Sequence, residues 1–139
     1  MTAPFTVTKQ VLFQLKSDVD VVAARQGVRN WAREIGLTVL DLTKIVTAAS
    51  ELARNALVHG GGGVMSLEVV QQLGREGLRL TFKDRGPGIP EIAVAMQDGY
   101  TTGRGMGIGL PGAKRLVNEF DVFSQPGEGT CVTIVRWKA

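Results

Sequence analysis

Apolar and polar positions along this chain fall into two distinct periods. Over residues 11–16 they alternate, with Val11, Phe13 and Leu15 against Leu12, Gln14 and Lys16, which predicts a short strand. The spacing then changes to 3-4-3-4 at Val21, Ala24, Val28, Trp31 and Ile35, the single stripe of a helix. Ser17 or Asp18 is placed to cap its start and Gly36 to close it. A second helix opens at Thr38 or Asp41, turns Leu42, Ile45, Val46, Ala49, Leu52, Ala53 and Ala56 inward, and stops at the tetraglycine 60–63. Residues 64–73 and 78–83 read as strands joined by a hairpin turn at 74–77. A short helix is predicted at 91–97, a polar, glycine-rich loop at 98–109, and a helix at 110–118 with Pro111 in its first turn. Strands at 120–124 and 130–137 follow, around a turn at 125–129. The order β-α-α-β-β-α-α-β-β segregates helices from hairpins and predicts a two-layer α+β sandwich.

Composition narrows the class. With 139 residues, 44% hydrophobic and 21% charged, the chain is expected to form one domain over residues 1–139 and is too apolar for a disordered tail. No apolar stretch approaches the roughly 20 residues that cross a bilayer, and the first ten residues carry no signal-peptide pattern. The lone Cys131 cannot form an intrachain disulfide, which fits a reducing, cytoplasmic setting. The formal charge of +3 and a pI near 9.4 do not argue for nucleic acid, because Lys and Arg are spread from Lys9 to Lys138 and the eight aromatics do not interleave with them. Glycine is the exception. There are 18, and 14 of them fall between Gly60 and Gly112, where backbone must turn sharply or approach something closely.

Three constellations have the residue types that chemistry needs. Glu51, Asn55 and His59 stand four residues apart on the second helix, so Glu51 and Asn55 are about 6 Å apart along its axis. A carboxylate and an amide so placed suit a hard cation, or a base with a metal ligand, but taken alone such a trio is more often a solvated helix edge. Asp84-Arg85-Gly86-Pro87-Gly88-Ile89 follows a strand, so Asp84 either accepts a hydrogen bond from a ligand amino group or closes an ordinary turn on its own backbone. Gly103-Arg104-Gly105-Met106-Gly107-Ile108-Gly109-Leu110 alternates glycine before a helix, the composition of a phosphate cradle. Other signals fall away. Gly107 to Gly112 matches G-x-G-x-x-G without a preceding strand, no Walker A, H-R-D or D-F-G motif is present, and one cysteine with one histidine cannot build a zinc site.

Taken in order, the helix carrying Glu51 and Asn55, the strand running into Asp84-x-Gly86-x-Gly88, the Gly105-x-Gly107-x-Gly109 loop and Gly129-Thr130 resemble the GHKL (Bergerat-fold) ATP-binding superfamily. Within it, Val22-Ala-Ala-Arg-Gln26, Ser50-Glu-Leu-Ala-Arg-Asn55, Asp84-x-Gly-Pro-Gly-Ile-Pro90, Gly109-Leu-Pro-Gly-x-Lys-Arg-Leu116 and Gly127-Glu-Gly-Thr130 resemble the bacterial anti-sigma and stressosome serine/threonine kinases. The resemblance implies a mainly antiparallel sheet covered on one face by helices, with ATP and Mg²⁺ as cofactors. It implies that Asn55 binds the Mg²⁺ and that Glu51 is the general base for a serine or threonine hydroxyl. Asp84 would accept a hydrogen bond from the adenine amino group beside Gly86, Gly88 and Ile89, with Thr130 near the adenine end. Gly103, Arg104, Gly105, Met106, Gly107, Ile108, Gly109 and Leu110 would line the phosphates.

It further implies a STAS-domain antagonist as substrate, a downstream phosphatase or regulator to activate, and room for a weak homodimer, with no nucleic acid or membrane partner. The other reading is a nucleotide-gated binding switch or anti-sigma factor with little phosphoryl transfer. Where histidine kinases carry asparagine the chain has Glu51, which favours a carboxylate base, and where they often carry lysine it has Val58, which leaves phosphate neutralisation between Arg54 and Arg104. Arg25, Arg29 and Arg33 form a stripe on the first helix, either a solvated face or a docking surface for an acidic partner. The tetraglycine matches no ligand role and reads as a link from helix to strand.

Overall fold

A computed structural model describes residues 4–88, 96 and 109–139. The helix expected at 91–97 and the loop expected at 98–109 lie outside the described residues, apart from Met96 and Gly109. So do Ile89, Gly103, Arg104, Gly105, Met106, Gly107 and Ile108.

Strand β1 spans Thr6–Leu15. It begins five residues before the alternating pattern does, because residues 6–10 are exposed and have no buried side from which a period could be read. Helix α1, Asp18–Glu34, is capped by the Ser17 hydroxyl, which accepts from the Asp20 N–H, while the Asp20 carboxylate accepts from the Lys16 N–H at 2.9 Å. At its other end Gly36 takes φ +85°, its N–H bonds the Arg33 carbonyl, and the Leu37 N–H bonds the Ala32 carbonyl. That is a Schellman closure with the buried Leu37 as its apolar contact. Helix α2, Val39–Val58, starts on Thr38, whose hydroxyl accepts from the Asp41 N–H. All seven of its predicted inward residues are buried, and Ala48 and Asp41 join them.

β2 (Gly63–Gln72) and β3 (Arg75–Asp84) are joined by only two residues, Leu73 at φ +52° and Gly74 at φ +79°. Two successive positive φ values make the turn that matches strand twist. The hairpin expected at 74–77 therefore sits earlier, and Gly77 is inside β3, where a Cβ would meet the Arg136 carbonyl oxygen at 2.5 Å. Helix α3 (Gly109–Arg115) is shorter than expected and packs against α2. β4 (Glu119–Gln125) and β5 (Gly129–Trp137) complete the chain.

The five strands form one sheet in the order β1-β2-β3-β5-β4, every neighbouring pair antiparallel. Register aligns Leu67, Leu80 and Ile134 across β2, β3 and β5, and all three are fully buried beneath the helices. Burying each such side chain contributes about 1.5–3 kcal/mol. Arg136 leaves this face to pair with Asp41 at the start of α2 and also donates to the Leu116 carbonyl just after α3. The opposite face carries no helix among the described residues. One end of it is covered by Phe5, which stacks on Trp137 at 5.7 Å, with the Arg75 and Arg79 guanidiniums over Trp137 and Phe5. The result is the α+β sandwich that the pattern predicts. Among the described residues no helix is long and apolar enough to cross a membrane.

Candidate functional site

The site assembles where three segments end together: the C-terminus of α2, the end of β3 and the turn between β4 and β5. Asp84 is the last residue of β3 and pairs with Gly63 at the start of β2. Its Oδ1 accepts from the Gly86 N–H at 2.9 Å and from the Thr130 N–H at 3.3 Å. Both readings of Asp84 therefore have a place. One oxygen closes a local turn and clamps β5, and Oδ2 has no hydrogen-bond donor among the described residues. A carboxylate anchored through one oxygen presents the other in a fixed direction as an acceptor.

Backbone packs against backbone around that anchor. Gly88 has φ +80°, and a Cβ there would lie 2.4 Å from the Gln125 carbonyl oxygen. Gly129, at φ +97°, faces the Asp84 carbonyl oxygen at a would-be 2.1 Å. The Gly127 N–H donates to the Pro87 carbonyl at 2.8 Å, tying the Asp84 turn to the β4–β5 turn. Thr130 uses its N–H on Asp84, while its hydroxyl shares a 3.0 Å hydrogen bond with the Ser124 hydroxyl. Ser124 also donates to the Gly129 carbonyl at 3.0 Å. No motif in the sequence marks Ser124. The signal that finds it is hairpin register, which sets Ser124 directly opposite Thr130.

Glu51 and Asn55 are half-buried on α2, beside the buried Leu52, Ala53 and Ala56. The core side of the helix holds them at the rim of the sandwich. The Asn55 carbonyl accepts from the His59 and Gly60 N–H groups, and the Ala56 carbonyl accepts from the Gly62 N–H, so the tetraglycine wraps the end of α2. Gly60 also touches the Asp84 side chain: a Cβ on it would lie 2.4 Å from Asp84 Cγ. For Gly60, the expectation that the tetraglycine only links helix to strand is thereby corrected. His59 is exposed at the helix end.

The structure thus brings Asp84, Gly86, Gly88 and Thr130 into one cluster abutting α2, with Asn55 and Glu51 about one and two turns up that helix. Gly109 and Leu110 open α3, which packs on α2. The exposed Arg54 precedes Asn55. Arg25 and Arg33 are exposed and Arg29 half-buried, along α1. Chemically, the cluster offers an anchored acceptor beside bare backbone at one end, and a carboxylate with an amide at the other. The first suits a flat heterocycle bearing an N–H donor. The second suits a hard cation and a proton.

Comparison with known proteins identifies the family and the fold. The family described as histidine kinase-, DNA gyrase B-, and HSP90-like ATPases matches residues 40–139. The serine/threonine-protein kinase RsbT of Bacillus subtilis (strain 168) is 44% identical over 128 residues, covering 92% of this chain and 96% of the relative. An anti-sigma F factor of Geobacillus kaustophilus (strain HTA426) is 33% identical over 120 residues, 81% of each chain. Among solved structures, the RsbU and RsbW domains of a Mycobacterium tuberculosis protein superpose with a TM-score of 0.65 at 25% identity. That match covers 95% of this chain and 33% of the other.

Proposed function

This chain belongs to the histidine kinase-, DNA gyrase B- and HSP90-like ATPase family, and we propose that within it the protein is an ATP-dependent serine/threonine kinase of a bacterial partner-switching pathway. The observation that supports this reading most is the abutment of the Asp84 turn on α2, the helix that carries Asn55 and Glu51. The Asp84 carboxylate, the Asn55 amide and the Glu51 carboxylate follow one another along one edge of the fold, and that succession supports an extended nucleotide with an incoming hydroxyl at its far end.

In this reading Asp84 Oδ2 accepts from the adenine amino group, while Gly86 and Gly88 let the ring lie against backbone. Gly109 and Leu110, with residues 103–108, line the phosphates. Asn55 is the protein ligand to Mg²⁺. The donor set fits, because Mg²⁺ keeps several waters and takes one or two protein oxygens plus substrate phosphates. Among the described residues no cluster of three His, Cys, Asp or Glu would form an all-protein cage instead. When bound, Mg²⁺ supplies charge neutralisation between the phosphates. Glu51 takes the proton from a serine or threonine hydroxyl as that oxygen bonds to the γ-phosphorus and ADP leaves. Positioning and electrostatics dominate phosphoryl transfer, so one base, one metal ligand and a backbone cradle suffice.

The hydroxyl is proposed to belong to a small STAS-domain antagonist in the cytoplasm, with a phosphatase or other regulator as the second partner. Likeness to anti-sigma F factors favours one further reading, a nucleotide-gated switch that holds a sigma factor and transfers little phosphate. Incubation with γ-labelled ATP and candidate antagonists separates the two. The kinase reading expects label on a serine or threonine of the antagonist with wild type and none with Glu51→Ala or Asn55→Ala. Nucleotide-dependent partner binding without label would favour the switch.

A further inference from the structure

The tetraglycine contains two glycines required for different reasons. Gly61 has φ +71° and nothing within 4 Å of a would-be Cβ, so it answers only a backbone conformation. Gly60 is the reverse case. Its φ lies outside the positive region, so an alanine would adopt its backbone freely. Space is what forbids one: a Cβ at Gly60 would lie 2.4 Å from Asp84 Cγ, 2.5 Å from Asp84 Cβ and 2.7 Å from the Ala56 carbonyl oxygen. Across the gap stands Gly86, where a Cβ would lie 2.6 Å from Gly60 Cα and 3.0 Å from the His59 carbonyl oxygen. Two bare α-carbons therefore face one another beside the Asp84 side chain.

We propose that Gly60 is a positioning residue for nucleotide selection: its bare α-carbon is the wall against which Asp84 is set. Two N–H groups fix Asp84 Oδ1, and Gly60 fills the space behind its Cβ and Cγ. Together they leave Oδ2 one direction in which to accept. A methyl group at position 60 pushes the Asp84 side chain to another rotamer or drives the end of β3 away from α2. Either movement misdirects Oδ2 and leaves the Glu51 and Asn55 side chains, one to two turns up the helix, in place. The inference rests on the reading of Asp84 as the adenine acceptor and adds to it a residue that never touches the ligand.

The test measures affinity for ATP and for inosine triphosphate, which carries a carbonyl oxygen where ATP carries its amino group. Wild type and the control Gly61→Asn, which keeps the left-handed conformation, are expected to prefer ATP by at least about tenfold. In Gly60→Ala that preference falls to within about twofold, while the affinity for inosine triphosphate barely changes. A folded Gly60→Ala that keeps the wild-type preference overturns the inference and leaves the Asp84 reading intact. A wild type with no preference overturns the Asp84 reading, and the inference with it. Should Gly60→Ala not fold, it is combined with Asp84→Gly, which removes both carbon atoms that Gly60 abuts. The contact expects the double variant to fold where Gly60→Ala alone does not, and an absence of rescue overturns it.

Discussion

At the Asp84 end of the site backbone lies on backbone, with Gly60, Gly86, Gly88 and Gly129 each facing an atom that a Cβ would strike. Along α2, by contrast, Glu51 and Asn55 are side chains on the rim of a helix whose other face is core. The two ends therefore fail differently. Changing the glycines alters the frame and, through it, the ligand. On the proposed function, changing the rim side chains alters chemistry more than it alters the frame. Fold and function are separable at one end and fused at the other.

The largest expected effect lies on the separable side. Glu51→Gln should lower phosphoryl transfer by about 10²–10⁴-fold, the usual contribution of a positioned base. Its stability should fall by no more than about 1 kcal/mol, because glutamine keeps the size and the hydrogen-bonding reach of the side chain. A large loss of stability in that variant would break the comparison, since Glu51 would then belong to the frame. Next comes Gly129→Ala, which combines a strained φ of +97° with a would-be 2.1 Å approach to the Asp84 carbonyl oxygen. A stability loss of about 2–3 kcal/mol is expected, with ATP affinity falling alongside it. Denaturant unfolding and calorimetry on the same samples measure both. Smallest is Leu73→Asn, at the far end of the β2–β3 hairpin. Leu73 is 81% exposed at φ +52°, so asparagine should raise stability by about 0.5–1 kcal/mol without changing nucleotide affinity. It serves as the strained position that carries no function.

The helices were the most legible part of the sequence. Their apolar stripes, Thr38 and Ser17 as caps and Gly36 as closure follow from period and local hydrogen bonding, which a few neighbouring residues encode. The sheet was less so. Residues 6–10 of β1 are exposed and have no buried alternation, and Leu73 adopts a φ that its side chain disfavours, which shifted the expected turn. The motifs carrying Glu51, Asn55 and Asp84 were visible as residue types at fixed spacings. Their surroundings were not. Ser124 opposite Thr130, the Arg136–Asp41 pair and the Gly60–Asp84 contact join residues 6, 95 and 24 positions apart, and only the folded sheet brings them together.

The division between the two ends is tested most directly by ATP affinity in Mg²⁺ and again in EDTA, for wild type, Asp84→Asn and Asn55→Ala. Asp84→Asn replaces the free acceptor with a donor, so its affinity should fall by at least about tenfold whether or not the metal is present. Asn55→Ala should lose affinity in Mg²⁺ and match wild type in EDTA. If both variants lose affinity to the same degree in both conditions, the site does not have an adenine end and a metal end, and the account is wrong.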